Sequence, residues 1–113
     1  MLTQTKLDGD ILLVQIEAPR LTASNSPAIR QAVFDVIAAG DTRLVLDLTK
    51  VVFVDSTGLG ALVGILKQVG NRGELSICGI QSPVQQMFKL TRMDRVFRIF
   101  PDADAARAAL ENA

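Results

Sequence analysis

The chain has 113 residues, 49% of them hydrophobic, with Lys+Arg and Asp+Glu both at 12 and a formal net charge of zero. That length fits one domain, the apolar content suffices for a core without a metal or disulfide staple, and the basic excess of a nucleic-acid binder is missing. Histidine is absent, which removes the usual general base, the usual metal ligand and every Ser-His or Cys-His pair. A single cysteine, Cys78, allows no internal disulfide and favours a cytoplasmic setting. Met1 to Lys6 holds no signal-peptide core, and the apolar stretch Leu59 to Leu66 is too short to span a bilayer. No direct membrane insertion, nucleic acid or cofactor is therefore expected.

Leu7-Asp8-Gly9-Asp10 reads as a tight turn between two strands, because glycine accepts positive φ without steric cost. Ile11 to Ile16 is the second of these strands, and its nearly unbroken apolar run predicts burial on both faces. Ala18-Pro19-Arg20-Leu21 ends it. Ser26 is the expected N-cap of a helix with Pro27 in its first turn. Ile29, Val33, Val36 and Ile37 form its apolar stripe, and Gly40 stops it.

Arg43 to Thr49 is another strand, centred on Leu44 to Leu48, so strand, helix and strand make a crossover unit with parallel pairing. Val51 to Val54 is a further β-type run. It leads into Asp55-Ser56-Thr57-Gly58-Leu59-Gly60, which opens a helical pattern reaching about Val69. Gly70 to Gly73 is a turn, and Glu74 to Ile80 is again β-type. Ser82-Pro83 starts a helix in the manner of Ser26-Pro27, with Val84, Met87, Phe88 and Leu90 as its apolar positions. Val96 to Phe100 is a short last strand. The alanine-rich helix from Ala103 to about Glu111 is expected to pack peripherally and fray at its end. The whole predicts a single α/β domain over residues 1–113: a small, mostly parallel β-sheet with an N-terminal antiparallel edge and about four helices.

In the motif helix, at roughly 100° per residue, Leu59, Leu62, Val63, Leu66 and Val69 gather on a side that must face the sheet. The opposite side holds Thr57, Gly60, Ala61, Gly64 and Gln68 and is nearly bare. Interior glycines cost roughly 1 kcal/mol each, so small residues there suit a surface that another protein approaches. Local packing against a neighbouring loop is the alternative. Asp55 or Ser56 can act as the N-cap, and free N–H groups at that helix end also favour an anion. A phosphate-binding loop is disfavoured, since neither Gly-Lys-Ser/Thr nor Gly-x-Gly-x-x-Gly is present. Asp47 and Asp55 lack a third carboxylate or a histidine, which disfavours metal binding and acid–base catalysis. Lys89, Arg92, Arg95 and Arg98, around Asp94, read as a solvated face or a dock for an acidic partner. Cys78 reads as a small core residue.

The hexapeptide Asp55–Gly60 resembles the signature of the anti-sigma factor antagonists, small single-domain members of the STAS family. Leu44-Val45-Leu46-Asp47-Leu48, Val52-Phe53-Val54, Gly73-Glu74-Leu75 and Val84-Gln85-Gln86-Met87-Phe88 follow the family's order and spacing, so the resemblance runs from about Leu7 to Ala109. It implies a non-enzymatic binding module that switches partners. Unmodified, such a module binds an anti-sigma factor that is also a serine kinase, and phosphorylation of the serine after the motif aspartate breaks the complex. A phosphatase restores it. That serine corresponds to Ser56, beside Asp55 and Thr57, and the partner would meet Ser56, Thr57, Gly58, Gly60, Ala61, Gly64 and Gln68. Many members carry an aspartate in the loop after the second strand. Thr22 stands near that position here, so Thr22 and Asn25 are the expected polar neighbours. A second function the family implies is an accessory subunit of a lipid transporter or a stress-signalling assembly, docking through the same helix without phosphorylation. Apart from the resemblance, the α/β pattern leaves a small nucleotide-using enzyme as a third reading, and the missing phosphate-loop motifs and histidine count against it.

Overall fold

Apolar residues on both faces of the central strands require cover on both faces of the sheet, and the chain supplies it unequally. The computed structural model describes residues 1–111. Its strands are β1 (Leu2–Lys6), β2 (Ile11–Ile16), β3 (Arg20–Leu21), β4 (Arg43–Asp47), β5 (Phe53–Val54), β6 (Glu74–Cys78) and β7 (Arg98–Phe100). Its helices are α1 (Ser26–Ala38), α2 (Ser56–Val69), α3 (Ser82–Leu90) and α4 (Ala103–Glu111). Five strands form one sheet in the order β1-β2-β4-β6-β7; β3 and β5 form a separate parallel pair. β1 runs antiparallel to β2, and every other pairing is parallel. The antiparallel edge follows from the short Asp8-Gly9 turn, with Gly9 at φ 62°.

Side chains alternate across a strand. Leu12, Val14 and Ile16 of β2, Leu44 and Leu46 of β4, and Leu75 and Ile77 of β6 point to the main core. They meet Ile29 and Val33 of α1, Leu62 and Ile65 of α2, and Val84 and Phe88 of α3. The intervening residues Ile11, Leu13, Val45 and Cys78 point the other way and meet Ala106 and Leu110 of α4. The last helix is therefore not peripheral: Ala106 and Leu110 are wholly buried. They lie four residues apart on one helix face, and the small Ala106 side chain suits a close approach to the strands. Arg107 ties this helix to Asp8 at 2.7 Å, and Arg43 donates to the Leu110 carbonyl at 2.6 Å. The expectation for the extreme end, residues 112 and 113, lies outside the described residues.

Other expectations change in detail. Ser26 is not the cap of α1. Asn25 holds that position, with no side-chain cap bond, and Ser26 is buried inside the first turn. The reason is local: the Asn25 amide closes the preceding loop by accepting from Thr22 N–H at 2.9 Å and donating to the Arg20 carbonyl at 2.7 Å. Ser82 likewise lies inside α3, after Gln81 at the cap position. Leu90 is 84% exposed and belongs to no core. On α2 the sheet-facing set includes Ile65, which is wholly buried, whereas Val63 and Leu66 are half-buried. Only Phe53 and Val54 of the Val51–Val54 run form a strand.

Candidate functional site

The small β3–β5 pair brings the loop after β3 against the start of α2. Asp55 follows β5 directly, and its N–H donates to the Leu21 carbonyl at 3.1 Å. With extended backbone, φ −91° and ψ −178°, it is the N-cap of α2. One carboxylate oxygen accepts from Gly58 N–H at 2.8 Å, and the other accepts from Ala23 N–H at 3.2 Å. Its own carbonyl accepts from Leu59 N–H at 2.9 Å. Asp55, and not Ser56, thus performs the capping role, and it staples the two loops together. Ser56 is left exposed as the first residue of the helix. The Ser56 and Thr57 amides lie at the helix end, whose first N–H groups have no intrahelical acceptor and attract anions.

Gly58 is buried because β3 lies directly over it. A Cβ there would sit 2.2 Å from the Leu21 carbonyl oxygen and 2.8 Å from its carbonyl carbon. Ala61 is also buried, toward the α1 side. Gly64 is half-buried, its missing Cβ position 3.4 Å from Cδ of Arg30. Part of the bare helix side is therefore a seat for this chain's own neighbours, and the contact surface narrows accordingly. Ser56, Thr57, Gly60 and Gln68 remain exposed.

Thr22 and Asn25 come near the motif only through the loop they shape. The Thr22 hydroxyl pairs with Ser24 at 2.9 Å, and Asn25 is committed to Thr22 and Arg20. The link to the motif is the Ala23 amide on Asp55. Asp47 is occupied elsewhere, accepting from Thr49 N–H at 2.9 Å and from Gln15 Nε2 at 3.3 Å. Cys78 is buried, and that burial, reinforced by the charges of Asp47 and Asp102, pushes its thiol up to about 12. In the basic series, Arg98 pairs with Glu74 at 3.7 Å and stacks on Phe100, while Lys89, Arg92 and Arg95 are exposed.

A family model described as the STAS domain matches residues 3–106. The chain belongs to the STAS family. This STAS chain is 30% identical over 83 residues to the anti-sigma-B factor antagonist of Listeria monocytogenes, covering 73% of each. It is 25% identical to an anti-sigma factor antagonist of Mycobacterium paratuberculosis whose crystal structure superposes with a TM-score of 0.88, over 98% of this chain and 93% of that one. The Bacillus cell fate determinant SpoIIAA in its phosphorylated form superposes with a TM-score of 0.70 at 14% identity, over 96% of this chain and 99% of that one, a likeness of fold alone.

Around its motif the STAS chain carries features that sequence reasoning missed. Val52 and Phe53 are 42% and 46% exposed immediately before Asp55, and the Arg20 guanidinium lies 5.6 Å from the Phe53 ring. An open cleft of about 330 Å³ lies between α1 and α2, lined by Ser26, Pro27, Arg30, Thr57, Gly60 and Ala61. Gly64 was a usable signal for close approach by a neighbour. Nothing in the local pattern names Arg30 as that neighbour, because the pairing of α1 with α2 is tertiary. No helix among the described residues is long and apolar enough to cross a membrane.

Proposed function

We propose that residues 1–113 act as a single STAS domain that antagonises an anti-sigma factor in the cytoplasm under phosphorylation control. Unmodified, it sequesters an anti-sigma factor with serine-kinase activity. Phosphorylation of Ser56 releases that partner, and a phosphatase resets the switch. The observation that carries this reading is the exposed Ser56 at the start of α2, relieved of capping by Asp55. A kinase can reach such a hydroxyl without unfolding the helix. A phosphate there adds about −1.5 to −2 charge beside the Asp55 carboxylate and bulk at the rim of the docking face. The free N–H groups of the first turn accommodate that charge within the chain, so the modification acts on the complex more than on the fold. The docking face comprises Ser56, Thr57, Gly60 and Gln68 with the exposed pair Val52 and Phe53. Gly58 and Ala61 support it from beneath.

The test is to incubate the chain with its anti-sigma kinase and ATP, map the modified residue by mass spectrometry, and titrate variants by calorimetry. Modification at Ser56 is expected, with Ser56→Ala refractory. Ser56→Asp should bind at least about tenfold more weakly, a loss of ~1.4 kcal/mol. A Ser56→Asp chain that bound as tightly as the wild type would sink the switch.

A further inference from the structure

The connection from α3 to β7 exposes apolar and basic side chains that the fold does not use. Phe88 near the end of α3 and Phe97 just before β7 are both buried, with ring centroids 5.8 Å apart. They pin the two ends of the connection, and Met93 packs against the core between them. Leu90 and Val96 stand outside that anchorage, 84% and 47% exposed. One such residue alone would be ordinary. Lys89, Arg92 and Arg95 are exposed beside them, and among the described residues no carboxylate pairs with any of the three. Lys89 has a local reason for its charge, because the last turn of a helix favours a cation. Arg92 has none. With φ 61° and ψ 21° it is left-handed, and it is the only non-glycine residue of positive φ among those described. Glycine takes that conformation without steric cost, so the fold supplies no reason for an arginine there.

The topology sets this segment at one end of the sheet. The Gly70–Arg72 turn leads into β6 and the Met93–Arg95 turn into the parallel β7, so Arg72, also exposed and unpaired, lies at the same end. The carboxylates beside the strand starts are neutralised within the chain: Asp8 by Arg107, Asp10 by Arg43, Asp41 by Lys6, and Glu74 by Arg43 and Arg98. On the connection itself Asp94 is the one carboxylate. Ser56 lies at the opposite end, since α2 runs from it back to the Gly70–Arg72 turn over 14 residues, about 21 Å.

We propose that the α3–β7 connection adsorbs to the surface of an anionic lipid bilayer, with Leu90 and Val96 at headgroup depth and Lys89, Arg92 and Arg95 on the lipid phosphates. The unpaired cations select an anionic surface. A side chain as exposed as Leu90 projects outward, and a lipid interface receives it without the matching cavity that a protein would have to provide. Three cations and two apolar side chains fall short of a stable anchor, so the attachment is peripheral and reversible. It leaves Ser56 and its docking face turned away from the bilayer and open to a partner. It needs no phosphorylation, so its failure and that of the switch are separate results.

Flotation of the chain with vesicles of phosphatidylcholine alone, or of phosphatidylcholine and phosphatidylglycerol in equal amounts, tests the surface. Binding is expected to the anionic vesicles only, and should fall as salt is raised. Leu90→Gln should weaken it at least about threefold. Arg92→Gln combined with Arg95→Gln should weaken it at least about tenfold. Arg92→Gly relieves the left-handed arginine, so its melting temperature should hold or rise while its vesicle affinity falls about fivefold. Arg30→Gln, which removes an exposed cation near the start of α1, should bind as the wild type does. No flotation with anionic vesicles overturns the proposal, the result expected if the segment serves an acidic protein instead. Equal binding to both vesicle types, undiminished binding of Leu90→Gln, or a loss in Arg30→Gln as large as in Arg92→Gly overturns it as well.

Discussion

Replacing Gly58 and Gly60 separately by alanine should have opposite effects on stability, although the two lie within one turn of the same helix. Alanine favours a helix interior over glycine by about 1 kcal/mol, and that gain is common to both positions. At Gly60 the new methyl meets nothing within 4 Å, so the gain stands. At Gly58 it would lie 2.2 Å from the Leu21 carbonyl oxygen and 3.0 Å from Leu21 Cγ, well inside the 3.4 Å at which ordinary contact begins. The obstructing atoms include backbone, and the same carbonyl accepts the Asp55 N–H. Relief therefore requires β3 and the first turn of α2 to separate. Overpacking of this kind costs about 1–3 kcal/mol and more when the main chain must move. We expect Gly58→Ala to destabilise by about 2 kcal/mol net, and Gly60→Ala to stabilise by up to ~1 kcal/mol. Urea denaturation with unchanged m-values would measure the difference. In thermal melts each kcal/mol corresponds to about 4–8 °C for a domain near this size. Equal stability of the two variants, or the reverse order, would refute the close approach of β3 to α2. Partner binding supplies an independent reading, because Gly60→Ala should weaken docking while raising the melting temperature.

Two further outcomes follow from the fold. Leu110→Ala should cost about 2–4 kcal/mol in denaturant unfolding, as expected for a fully buried leucine over the second sheet face; a loss below about 0.5 kcal/mol, the range of surface changes, would mean α4 is peripheral after all. Acid should destabilise the chain. The hydrogen bond from Arg43 holds the Asp10 carboxyl below its usual range, and the bonds from Lys50 and then Thr3 do the same for Glu17. Because these folded-state values are lowered, their contribution is full above the ordinary carboxylate range and disappears as pH falls through the lowered values. Asp10 is exposed and Glu17 half-buried at the surface, so the effect should be small and reduced by salt. Denaturation midpoints that stayed flat from neutral to strongly acid solution, or that rose on acidification, would contradict the assignment.

Much of the architecture was legible as pattern. The apolar run Ile11–Ile16 announces a strand covered on both faces, and the Ile29, Val33, Val36, Ile37 stripe announces a helix with one buried side. The Asp8-Gly9 turn announces an antiparallel edge. The errors have local and tertiary causes. Ser26 looks like a cap because serine before proline commonly is one; its neighbour Asn25 is drawn instead into closing the loop from Arg20, and the hydroxyl is turned inward. Leu90 looks like a core position by spacing and lies in the open at the end of α3. The last helix looks peripheral by composition, yet Ala106 and Leu110 are wholly buried against the sheet's other face.

Local physics by itself determined roughly where the helices and the main strands run, though not the short strand Arg20–Leu21, that Asp55-Ser56 opens a helix, and that the chain could not rely on histidine or paired cysteines. Those properties depend on neighbours within a few residues or on composition, so they are written in the order of the amino acids. Only the tertiary structure decided which hydroxyl is exposed and which small residues are free. Asp55 takes the cap because the loop at Ala23 arrives to share its carboxylate, Gly58 is small because β3 passes over it, and Gly64 is small because Arg30 lies across it. Each depends on which surface a crossover brings alongside α2, and that pairing is set by burial of the whole sheet rather than by any stretch of sequence.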